Sequence, residues 1–101
     1  MRIAFFGSSL VSAYWNGAAT YYRGLLRALA GRGHEITFYE PNVFDRQQHR
    51  DIDDPDWARV VVYEAASTAV TAALRDARNA DLLVKASGVG VFDAVLEETV
   101  L

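Results

Sequence analysis

Between Arg2 and Glu40 the chain runs apolar strand, glycine-bounded loop, helix, reverse turn, strand, which is one βαβ unit. Ile3 to Phe6 form a continuous apolar run, as a strand buried on both faces requires. Tyr22, Leu25, Leu26 and Leu29 fall at the spacing of a single apolar stripe on a helix lying over a sheet. Asn16 is placed to cap that helix through its side-chain oxygen. Gly31 and Gly33 are placed to stop it, because glycine takes positive φ without a Cβ clash. Ile36 to Tyr39 is β-branched and aromatic, hence strand-like. Such a unit puts the Gly7 loop and the end of the second strand at one edge of the sheet, the edge where ligands bind.

The remaining elements follow the same alternation. The first strand is Arg2 to Phe6, the first helix Gly17 to Arg32 and the second strand Glu35 to Tyr39. Residues Glu40 to Arg59 are charged and irregular, with Pro41 and Pro55 as breakers and a short helix over Asn42 to Gln48. The third strand is Val60 to Tyr63. Ser67 caps a helix whose inner face carries Val70, Ala73, Leu74 and Ala77. Asp81 to Ala86 is the fourth strand, Ser87 to Gly90 a small-residue loop, and Phe92, Val95, Leu96 and Val100 share a face of the last helix. This is an α/β fold: a Rossmann-like parallel sheet of order 3-2-1-4 in a three-layer αβα arrangement. That order makes the Gly7 and Ser87 loops face each other across one crevice.

Composition excludes several classes. With 101 residues the chain makes one small domain, and 51% hydrophobic residues argue against disorder. A net charge of −3 leaves no basic footprint for nucleic acid. Arg23, Arg27 and Arg32 read as a solvated helix face. The absence of cysteine rules out a disulfide framework and a thiolate nucleophile. No apolar run is long enough to cross a bilayer and no signal-peptide pattern precedes the first strand, so the expected location is cytoplasmic.

Site candidates cluster at the ligand edge. Gly7, Ser8 and Ser9, with Asn16 and Gly17 at the helix start, could hold a phosphate or sugar hydroxyls through amides and hydroxyls. The loop from Gly7 to Asn16 exceeds the usual βα connection of about two to six residues. Tyr14 and Trp15 offer either an apolar wall to an acceptor or packing over the sheet edge. Ser87, Gly88 and Gly90 would contact a ligand across the crevice. Their run resembles a dinucleotide fingerprint but ends in Asp93 and follows the wrong strand, so a turn with Asp93 on the helix dipole is the plainer reading. Lys85 could face a phosphate or simply terminate an apolar strand. Glu40 stands where a ribose-binding acid would, yet the glycine motif that should accompany it is missing. Asp51-Ile52-Asp53 reads as a solvated loop rather than a metal motif, and no metal site is expected. His34 lies in a turn at the opposite edge. His49 lies at the ligand edge and is a weak candidate for a general base.

The run Asn16-Gly17, Tyr22 to Leu29 and Gly31-Arg32-Gly33-His34-Glu35-Ile36-Thr37-Phe38-Tyr39 resembles the N-terminal domain of GT-B-fold glycosyltransferases. The likeness is to bacterial glycosyltransferase-like proteins, including the spore-maturation group. It implies an acceptor-side domain of an enzyme that moves a sugar from a nucleotide-sugar donor. It also implies a second Rossmann-like domain holding most donor contacts, no tightly bound cofactor, and partners limited to sugar acceptor and nucleotide sugar. On that reading residues 1–101 are an N-terminal fragment, inactive alone, that self-associates into a homodimer through the fourth strand or the last helix. The alternative is a non-catalytic nucleotide-binding or flavodoxin-like regulatory module.

Overall fold

The computed structural model describes residues 1–86, 89 and 93–100, without the side chains of 97–100. Strands β1 (Arg2–Phe6), β2 (Glu35–Pro41), β3 (Ala58–Tyr63) and β4 (Leu82–Lys85) form an all-parallel sheet in the order β3-β2-β1-β4. Helices α1 (Ala19–Gly31), α2 (Ser67–Asp76) and α3 (Asp93–Val100) complete the described elements, with 3₁₀ turns at Arg46–His49 and Ala77–Asn79. The Rossmann-like order expected from the sequence is the one observed.

Alternation along each strand divides the core in two. On one face Ile3 and Phe5 of β1 and Ile36 and Phe38 of β2 pack beneath Tyr22 and Leu26 of α1. On the other, Ala4, Phe6, Tyr39 and Tyr63 meet Val70, Ala73 and Ala77, with Leu96 of α3 completing that layer. The register pairs Phe5 with Phe38 and Phe6 with Tyr39, so aromatic rings stack across the strands on both faces. Their centroids lie 5.5 Å and 4.5 Å apart respectively, within the range of offset stacking.

Helix ends differ from the expectation in instructive ways. α1 begins at Ala19 rather than Gly17, and Asn16 does not cap it with its side chain. Instead the Ala19 N–H donates to the Asn16 backbone oxygen at 3.3 Å, because the Asn16 amide is engaged in the preceding loop. At the other end Gly33 takes φ +91°, its N–H donating to Ala30 O and the His34 N–H to Leu29 O. That pair of bonds is a Schellman motif, with glycine at the left-handed position. Ser67 is the first residue of α2 rather than its cap; extended Ala66 precedes it without a side-chain bond. Burial of Val70 and Ala73 holds this helix in place of a cap.

Pro41 closes β2 instead of breaking it. β1 has left the sheet by then: its pairing ends at Phe6 opposite Tyr39, and Gly7 N–H makes the last bond, to Tyr39 O. The amide that proline lacks therefore has no ladder partner to miss. In α3 Leu96 is buried but Val95 is exposed, so Val95 does not share the inward face; Phe92 lies outside the described residues. β4 pairs with β1 alone among the described strands.

Gly7 is required by packing. A Cβ there would stand 2.5 Å from Cζ of Phe38 and 3.3 Å from a ring carbon of Tyr22, both rings being buried. Gly7→Ala should therefore cost about 1–3 kcal/mol, the usual penalty of overpacking a core. Urea denaturation measures it; an unchanged midpoint would show that the Phe38 ring yields freely.

Candidate functional site

Two connections build the carboxyl edge of the sheet: residues 7–18 after β1 and residues 42–57 after β2. They are joined by one buried carboxylate. Glu40, at the end of β2, is fully buried. Its Oε2 accepts the Ser9 hydroxyl at 2.6 Å and the Gln47 side-chain amide, and its Oε1 accepts the Leu10 N–H at 3.0 Å. Three donors from both connections thus satisfy an anion that would otherwise be costly to bury.

The loop after β1 is knitted to itself and its neighbour by further bonds. Ser8 donates its hydroxyl to Asn16 Oδ1 at 2.6 Å, and Asn16 Nδ2 donates to Ser9 O and Ser12 O, both at 2.9 Å. The Ser12 hydroxyl donates to His49 O at 2.9 Å. Asp51 accepts the Ala13 N–H at 3.0 Å and a two-pronged contact from Arg23 at 2.7 and 2.8 Å. Arg23 also donates Nε to Leu10 O at 2.7 Å. Asp51 is therefore a structural clamp and not a freely solvated loop acid, and Arg23 is not merely a solvated helix charge. The Arg23 hydrogen bonds hold the Asp51 carboxyl down at about 2.

Of the sequence candidates, Gly7, Ser8, Ser9 and Asn16 come together here, buried, with the Gly7 N–H, both serine hydroxyls and the Asn16 side chain bonded within the chain. Gly17 is exposed and no atom crowds it. Ser87, Gly88 and Gly90 lie outside the described residues. Lys85 turns inward, its side chain only 4% exposed, and forms an ion pair with Asp93 at 2.9 Å. His34 sits at the amino edge against the terminal amine of Met1. His49 is exposed at the carboxyl edge: its ring stacks on Tyr14 at 4.0 Å, and Nδ1 lies 2.9 Å from Asp45 O, which places a proton on Nδ1. Among the described residues no His, Cys, Asp or Glu cluster could hold a metal ion.

What the sequence reading missed is Arg46. It is buried, and its Nε and Nη2 donate to the backbone oxygens of Tyr14 and Trp15 at 3.4 and 3.1 Å. Tyr14, Trp15, Phe44, Asp45 and Arg46 line a cavity of about 450 Å³ at this edge. Trp15, Phe44 and Asp45 are the non-glycine residues with positive φ among those described, and all three line it. Positive φ carries strain in non-glycine residues, so strain is concentrated on this wall. Nothing in the residue types flagged Arg46, since an arginine in a charged stretch reads as solvated. The cavity is walled by the connections after β1 and β2; the Ser87 loop that would form the far wall of the crevice expected between β1 and β4 lies outside the described residues.

A larger groove of about 620 Å³ runs along the amino edge, over Arg2, Thr37, Tyr39 and Arg59. Four of its five charged side chains pair off, Arg59 with Asp76 at 3.0 Å and Arg2 with Glu35 at 3.2 Å, and Asp56 is the fifth. Hydrogen bonds from Arg59 and then Tyr39 lower the Asp76 pKa. Burial, reinforced by the bond to Asp76, raises that of Tyr39. These groups are engaged with each other, whereas the smaller cavity presents exposed rings. No described helix is long and apolar enough to cross a membrane.

The fold and edge geometry define an α/β domain with a parallel 3-2-1-4 sheet and an aromatic-walled cavity beyond its carboxyl ends. No protein-family model, curated protein or solved structure matches the chain.

Two outcomes test this account. Glu40→Gln places an amide N–H₂ against groups that all donate, and should cost about 1–3 kcal/mol of stability in chemical denaturation. For Asp51, the folded pKa of about 2 lies below the unfolded carboxylate value. Its contribution is therefore present above about pH 4 and lost as pH falls toward 2. Asp51→Asn should flatten the stability–pH curve over that window and leave its slope above pH 5 unchanged, as followed by urea midpoints.

Proposed function

We propose that this chain is the acceptor-side domain of a glycosyltransferase that takes its sugar from a nucleotide-sugar donor. The observation that carries the reading is the cavity at the carboxyl edge, walled by Tyr14, Trp15 and Phe44. Trp15 is 81% exposed and Phe44 58%, a large apolar area for two side chains with nothing over them. The electron-rich face of an aromatic ring attracts the positive edges of C–H bonds, and a pyranose ring presents such an edge on its flat side. The strained backbone at Trp15 and Phe44 supports a binding role, since strain concentrates where ligands are clamped.

The N–H groups of Gly7, Leu10, Ser12, Ala13 and Tyr14 donate within the chain, which stiffens the loop after β1 as a wall for the cavity. On this reading the donor's phosphates are held by a second domain, and departing charge is met in the cleft between the two. His49, beside Tyr14, is the candidate base, its Nδ1 held against the Asp45 carbonyl and its Nε2 the other ring nitrogen.

Trp15→Ala removes an exposed plate and should leave stability within about 0.5 kcal/mol. Sugar binding, followed by the nuclear magnetic resonance shift of backbone amides, should weaken severalfold; unchanged binding would remove the cavity from the acceptor site. Residues 1–101 alone should release no nucleotide from a panel of nucleotide sugars, and robust turnover would overturn the two-domain assignment.

A further inference from the structure

The cavity contains an element that a neutral sugar does not need. Arg46 is 6% exposed, and its Nη1 is buried without a hydrogen-bond partner. Its other nitrogens donate only to neutral backbone oxygens. No described carboxylate approaches the guanidinium within ion-pairing distance; Glu40 acts on it only through space, its own oxygens being occupied by Ser9, Leu10 and Gln47. Burial accordingly pulls the Arg46 pKa below its ordinary value. A buried cation with an unmatched N–H is costly unless an anion joins it. The Phe44 ring lies over the guanidinium at 5.0 Å and is itself exposed, so that face of the cation is covered by a surface side chain. The charged neighbour on the cavity wall is Asp45, exposed to solvent, which weakens its repulsion of an anion without removing it.

We infer that the cavity binds an anionic sugar, its ring against Trp15 and its carboxylate or phosphate on Arg46. This rests on the acceptor reading above and narrows it to one substrate class. The guanidinium fork offers the geometry that carboxylate and phosphate share. Trp15 and Phe44 supply the apolar walls.

The test compares pairs of ligands that differ in one charge. 4-Nitrophenyl β-glucuronide is titrated against 4-nitrophenyl β-glucoside, and glucose 6-phosphate against glucose, using the chain of residues 1–101. Binding is read from amide and indole shifts; Trp15 and Trp57 are the two indoles to resolve. The acid should bind about tenfold tighter than its neutral partner, as a charge-assisted hydrogen bond provides. The preference should shrink in high salt, and the largest shifts should fall at Trp15 and Arg46. Which acid shows it identifies carboxylate or phosphate as the group read. Asp45→Asn should strengthen acid binding and leave neutral binding alone, and asparagine tolerates the left-handed backbone there. Arg46→Gln should abolish the preference; because that side chain is buried, the wild-type ratio and the Asp45 variant decide the matter if it fails to fold. Equal affinity within both pairs overturns the anionic assignment while leaving an acceptor cavity. Absence of binding by all four ligands, or shifts remote from Trp15, overturns both.

Discussion

A carboxylate buried at the end of the second strand, Glu40, is the contact on which the carboxyl edge depends. It is the place where the first and second connections meet, through Ser9 and Leu10 on one side and Gln47 on the other. An ionised group in that position fixes its donors more stringently than apolar packing does, because each missing bond exposes a desolvated charge. The loop after β1 can therefore be long without being loose. Asn16 ties its interior, Asp51 and Arg23 clamp its outer turn, and Ser12 bonds to the chain at His49.

The sheet supplies the platform for that edge. Aromatic rings stack across β1 and β2 on both faces, and the Phe38 ring occupies the space a side chain at position 7 would need. Gly7 thus belongs to the core as much as to the loop. The chain leaves the sheet at Gly7, turns beneath α1 and emerges at Tyr14 and Trp15. Those two residues are exposed because the preceding stretch, Gly7 to Ser12, takes the buried positions.

The aromatic cavity follows from this arrangement. Arg46 holds the carbonyls of Tyr14 and Trp15 from below, which presents their side chains outward. The same contacts leave the guanidinium short of a charged partner. The Glu40 hub and the Arg46 wall are distinct settings of buried charge: one is matched by hydrogen bonds within its own chain, the other keeps a buried nitrogen without a hydrogen-bond partner.

The sequence by itself determined the architecture. Continuous apolar strands, one-sided helices and glycine at the helix-to-strand turn leave a parallel sheet as the way to bury both faces, and the order 3-2-1-4, expected by likeness to Rossmann folds, is one of two common orders that alternation and crossover handedness allow. It also marked the loop after β1 that builds much of the carboxyl edge, since loop length and small residues are visible along the chain. Tertiary structure alone decided which polar groups remain available there. Ser8, Ser9 and Asn16 are engaged by partners as distant as Glu40, and Asp51 by Arg23, pairings that local pattern does not encode. Arg46 is indistinguishable in sequence from the solvated charges around it. Its burial arises because the second connection folds onto the first, and a hydrogen bond or a desolvated cation is a property of that meeting, not of either segment.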